Sequence, residues 1–262
     1  MKRLFQIFGG GIGWTLGGPI GALLGVAFGN AIHDVVRGQE EPAAASGSQR
    51  TAYSGANPGA TRQGRTSSPS DFHIAMLILA ARVIKADGRV QQSELDFVRQ
   101  QFVQLFGKDK ANESFAMFRK LVDQEIHLTK IAQQINGFTT HSTRLQLVHF
   151  LFKVAMADGQ LHPNEVDEIH RIARHLRVSD LDYESIKAMF HKKDDDLWAT
   201  KILEVDPNAT QDEVKRAYRK MAKKYHPDRL TDAGPEAQSA AQESFIEVQK
   251  AYDHICQRKG WS

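Results

Sequence analysis

Apolar residues along most of this chain recur at three- and four-residue intervals, and no strand-length alternation interrupts them. Ile74, Leu77, Ile78, Ala81 and Ile84 fall on one helical face, as do Leu95, Val98, Phe102 and Leu105. A second set runs through Leu147, Phe150, Leu151 and Val154, then Val166, Ile169 and Ile172. Further on, Val214, Ala217, Tyr218, Met221 and Tyr225 make one stripe, and Ala241, Phe245, Val248, Tyr252 and Ile255 make another. The pattern predicts an all-α protein. Residues 71–192 read as one helical domain. Residues 197–262 read as a smaller one: a short helix around Ala199–Leu203, a helix from about Gln211 to Tyr225, and a last helix from about Pro235 to Gln257. The last two, joined by a loop, form an antiparallel hairpin.

Two N-terminal segments depart from this pattern. Leu4 to Ile32 contains no Asp, Glu, Lys, Arg or His, and the run is longer than the roughly 20 residues that cross a bilayer as a helix. Within it Gly9, Gly13, Gly17, Gly21, Gly25 and Gly29 recur every fourth residue, a ladder along which a second helix can approach closely. Residues 1–36 are therefore expected to form a transmembrane anchor that pairs with a second copy. A cleaved signal peptide and a flexible glycine-rich tail are the alternatives. Residues 37–70 lack Leu, Ile, Val, Phe, Met and Trp, so this segment reads as a disordered linker.

Composition narrows the function. The net charge is only +3, so any basic site must come from patterning. A single cysteine, Cys256, excludes an internal disulfide framework and a cysteine zinc site. No phosphate loop, nucleophile elbow or catalytic dyad is visible, so neither an enzyme nor a bound cofactor is expected. The middle segment carries an internal repeat: Ala86-Asp-Gly-Arg-Val-Gln-Gln-Ser-Glu94 matches Ala157-Asp-Gly-Gln-Leu-His-Pro-Asn-Glu165 at a spacing of 71 residues. Asp87, Glu94, Asp158 and Glu165 could together hold a divalent metal. The competing explanation is conformational: each glycine ends a helix and each glutamate stabilises the start of the next.

The last domain carries the chemistry. His226-Pro227-Asp228 follows a helix bearing Lys215, Arg216, Arg219, Lys220, Lys223 and Lys224. Proline disfavours helical geometry at His226, so the helix ends there and the tripeptide sits at the hairpin tip. Arg216, Arg219 and Lys223 point away from the apolar stripe and make a rigid positive track towards that tip. No exposed aromatics interleave with them for base stacking, which argues against nucleic acid. The stretch from Lys215 to Arg229, with Gln249 to Ile255 behind it, resembles a DnaJ-type J domain. The resemblance implies that His226, Pro227 and Asp228, with Lys215, Arg216, Arg219, Lys220 and Lys223, dock on a DnaK-type chaperone and stimulate its ATPase. Leu230 stands where that family commonly has asparagine, and no Gly/Phe-rich segment or zinc-binding cysteines accompany the domain. The doubled Ala-Asp-Gly turn resembles the TerB-like helical domain, through which a client or signalling protein would bind. The order of anchor, linker, TerB-like domain and J domain is similar to the DjlA type of membrane J protein. The implied function is a membrane-anchored co-chaperone of a bacterial inner membrane, with its N-terminus periplasmic and the later domains cytoplasmic. The alternative is a TerB-like metal-binding stress-response scaffold with a vestigial J domain. Flanking charge is nearly balanced, Lys2 and Arg3 against Arg37 and Arg50, so the orientation follows from the need of such a partner for ATP.

Overall fold

The computed structural model describes residues 69–86, 88, 90–190, 197–233 and 235–261. The expected anchor and all but the last two residues of the expected linker lie outside them, as do Asp87 and the glycine ladder. Among the described residues every regular element is helical: α1 (Pro69–Ile84), α2 (Gln92–Val122), α3 (Leu128–Phe138), α4 (His141–Ala155), α5 (Pro163–His175), α6 (Asp180–Ala188), α7 (Trp198–Leu203), α8 (Gln211–Lys224), a 3-10 helix (Pro227–Ala233) and α9 (Pro235–Lys259). None of these is long and apolar enough to cross a membrane. Helix α1 opens two residues inside the segment read as linker. Pro69 is its first residue, where a missing N–H costs no helical hydrogen bond.

The 71-residue repeat is visible in three dimensions. Helices α1 and α4 pack together, and each is followed by a glycine with positive φ and then by α2 or α5. Gly88 and Gly159 occupy equivalent positions with φ of +76° and +86°, a left-handed turn that a Cβ would strain. After each turn a capping box starts the next helix. The Gln91 amide N–H donates to Glu94 Oε2 at 2.9 Å, and the His162 amide N–H donates to Glu165 Oε2 at 3.3 Å. The two turns meet: Gln91 Nε2 lies 3.4 Å from His162 Nε2, its own repeat equivalent.

Helix α4 is the centre of the packing. From Thr143 to Ala155 only Arg144 and Lys153 are not buried, and α4 touches α1, α2, α5, α6, α9 and the 3-10 helix. A helix apolar on all sides must be covered on all sides. Its burial extends to His149, whose ring packs on Phe190 at 4.9 Å between centroids. Burial, with the Lys153 charge adding to it, pushes the His149 imidazole down to about 3. Burial alone pushes His73 down to about 4.

Both histidines are thus neutral when folded, while the unfolded chain protonates them below about pH 6.5. Stability is unaffected by them above that pH and is lost as pH falls from about 6.5 towards their folded values. Between pH 6 and 4.5, His149→Leu is expected to flatten the slope of unfolding free energy by roughly 1.4 kcal/mol per pH unit. Denaturant titrations across that range check it. An unchanged slope means that His149 is not held neutral.

Candidate functional site

Helix α8 is built to be straight and charged. Thr210 caps it, accepting from the Glu213 amide at 3.4 Å, while Glu213 Oε2 accepts from the Thr210 amide at 2.8 Å. Acids at its start and lysines at its end both match the helix dipole. Val214 and Met221 are buried, and Tyr218 stacks on Tyr252 of α9 at 4.4 Å. Opposite that face, Lys215, Arg216, Arg219, Lys220 and Lys223 are all exposed.

The track ends in a tight turn. Tyr225, fully buried, closes α8 by donating its amide to Met221 O at 3.0 Å. The chain then reverses through His226-Pro227 into the 3-10 helix. The His226 side chain is 48% exposed and that of Asp228 87%, so both face solvent. The Asp228 amide donates to His226 Nδ1 at 3.2 Å, and the Asp228 carboxylate, at 3.6 Å, is beyond hydrogen-bond reach. The Nδ1 atom therefore serves as the acceptor of that bond. The ring edge rests on Phe245 of α9 at 5.9 Å. Phe245 belongs to the apolar stripe by spacing, but its second task under His226 is set by the hairpin and has no sequence signal.

Family profiles match this layout segment by segment. The DnaJ domain profile covers residues 201–259, that of tellurite resistance protein TerB residues 73–188, and that of the co-chaperone DjlA transmembrane domain residues 1–40. The chain is similar to the co-chaperone protein DjlA of Photobacterium profundum, 29% identical over 98% of this chain and 99% of the relative. It is also similar to those of Haemophilus influenzae, 24% identical over the whole of both chains, and Vibrio vulnificus, 29% identical over 73% and 79%. The chain thus carries the domain set of the DjlA-type J-domain co-chaperones. No solved structure matches it.

The remaining residues of interest in this DjlA-type chain divide into two groups. Of the acidic quartet, Glu94 and Glu165 are buried in the capping boxes. Asp158 Oδ1 accepts from the Gln160 amide at 2.9 Å, and its Oδ2 lies 3.2 Å from His162 Nε2. The amide bond from Gln160 is the main cause holding the Asp158 carboxyl below its ordinary range. No group of three or more His, Cys, Asp or Glu side chains is gathered as a metal site among the described residues.

The second group escaped sequence reasoning. Lys224, one of the basic run, is only 15% exposed and bonds Glu204 Oε1 at 2.6 Å. Its Nζ also reaches Asp182 Oδ1, on α6. Lys220 bonds the other oxygen of Glu204 at 2.7 Å. Glu204 sits just past α7 at φ 56°, a left-handed position where glycine is favoured, so its carboxylate is kept at a backbone cost of about 1 kcal/mol or more. Burial pushes the Asp182 carboxyl up, but hydrogen bonds from Lys224 and Ser179 outweigh it and hold it below the usual carboxylate range.

Removing the cation leaves two carboxylates in a largely dry site. Lys224→Met is expected to cost about 2–3 kcal/mol of stability. Lys215→Ala, on the exposed side of the same helix, should change it by less than about 0.5 kcal/mol. Denaturant unfolding of both variants checks the contrast. Equal effects would mean that Lys224 is as solvated as its neighbours.

Proposed function

We propose that this co-chaperone docks a DnaK-type chaperone on its basic helix, stimulates that partner's ATPase through His226-Pro227-Asp228, and recruits it to the inner membrane. The observation that supports the reading most is the exposed tripeptide at the end of α8. Helix α8 fixes the track Arg216, Arg219 and Lys223, while Phe245 and the Asp228 amide hold the His226 ring. Charge at an exposed rim steers encounter, and a preset loop limits the ordering cost on docking. The partner needs ATP, so the later domains face the cytoplasm and the N-terminus the periplasm. A client or signalling protein would be held by the TerB-like domain.

His226→Gln in the full-length protein is expected to abolish stimulation of DnaK ATP hydrolysis while the helical circular dichroism stays unchanged. A pure, folded variant that stimulates like the wild type would sink this reading.

The glycine ladder from Gly9 to Gly29 supports a homodimer through the anchor. Replacing Gly17 and Gly21 with Leu puts bulk where two backbones would meet, so cross-linking yield in membranes should fall. Equal yields from variant and wild type would show that the glycines serve something other than pairing.

A further inference from the structure

The two halves of the repeat differ in how one basic residue is paired, and the difference faces the J domain. Arg82 on α1 and Lys153 on α4 are equivalents, 71 residues apart. Arg82 pairs with Glu168 of α5. The equivalent of Glu168 is Phe97, which presents Lys153 with a ring, 6.0 Å from Nζ to its centroid. A ring cannot neutralise an ammonium as a carboxylate does. Lys153 instead pairs with Glu243 of α9 at 2.9 Å, with Gln101 Oε1 at 3.4 Å. Two turns earlier on the same face, buried Gln146 accepts from the buried Ser244 hydroxyl at 3.3 Å.

A second set of contacts joins the two domains through α6 and the 3-10 helix. Asp182 on α6 reaches Lys224, and the Ser185 hydroxyl donates to Ile202 O at 2.9 Å. The 3-10 helix packs on α1 and α4, and its Leu230, the departure from the family pattern, is 2% exposed. These contacts bracket the functional loop. Lys224 lies two residues before His226 and Leu230 two after Asp228. The loop itself and the basic track stay exposed, so the packing does not cover the surface that a partner would use.

We propose that the TerB-like domain is a positioning platform for the J domain, with Asp182 holding Lys224 just before the His-Pro-Asp loop and Lys153 holding α9, whose Phe245 lies against His226, so that the loop keeps the orientation a DnaK-type partner engages. The inference rests on the J-domain reading above. A partner binds only the fraction of molecules whose loop is correctly presented, so its apparent affinity scales with that fraction. Fixing the loop beforehand removes an ordering cost from docking. Lys153 and Asp182 act through the loop's position and do not touch the partner.

Steady-state ATP turnover by DnaK, titrated with the full-length protein in nanodiscs, tests this. Wild type against His226→Gln comes first. No difference between them overturns the J-domain reading and this inference with it. Given that difference, Lys153→Glu, which faces Glu243, and Asp182→Asn should each raise the half-maximal concentration about fivefold or more without lowering the maximal rate. The double reversal Lys153→Glu with Glu243→Lys should return it to the wild-type value. That rescue is not expected of a general loss of stability, and thermal melts of each variant accompany it. Single variants with the wild-type midpoint would overturn the platform. So would a lower midpoint, which would mean that the packing masks the loop, or a folded double reversal that fails to rescue.

Discussion

Helix α4 has no solvent face to spare, and the layout of the described residues follows from covering it. Its Leu145, Leu147, Val148, Phe150, Leu151, Phe152 and Val154 point in every direction around the axis and all are buried. Each large side chain of this kind stabilises by about 1.5–3 kcal/mol when taken out of water. Helices α1, α2, α5 and α6 cover most of the surface, and α9 and the 3-10 helix cover the rest. The TerB-like domain and the J domain therefore share a core. The price of that arrangement is polar: Gln146 and His149 are buried with the apolar residues, and each side chain has a nitrogen with no hydrogen-bond partner. Such groups weaken an interface relative to a fully apolar one.

The J domain answers this with a helix that has two faces. Ala237, Ala241, Ser244, Val248, Ala251 and Ile255 are all buried, at steps of four and three, and all but two are small. Small residues let α9 lie close to its neighbours, while Tyr252 stacks on Tyr218 of α8 and Phe245 supports His226. One helix thereby ties the bundle to the functional loop. The loop is not shaped by its own sequence alone; it is held between α8, which Lys224 and Tyr225 pin at its end, and the 3-10 helix, which Leu230 anchors.

Duplication explains why the two turns carry the same glycine and the same glutamate. A helix–turn–helix copied once needs the same left-handed glycine and the same glutamate cap twice, and Gly88 with Glu94 and Gly159 with Glu165 supply them. What differs between copies is more informative than what repeats. Phe97 replaces the counterpart of Glu168, and Lys153 turns to another helix.

Local physics was legible in the chain itself. Helical periodicity and the proline after His226 set the positions of α7, α8 and α9 to within about two residues, because each depends on neighbours a few positions away. The same holds for the 71-residue repeat and for exposure of Arg216, Arg219 and Lys223. The sequence showed six cations on α8 without showing that Lys224 differs from the rest. Its environment is made by Asp182 and Glu204, 42 and 20 positions earlier, and no periodicity relates residues so far apart. Likewise the small residues of α9 carry a readable spacing, but not the identity of the helix that they meet. Which buried face meets which is decided only when the whole chain is packed around α4, since burial is a property of every neighbour at once.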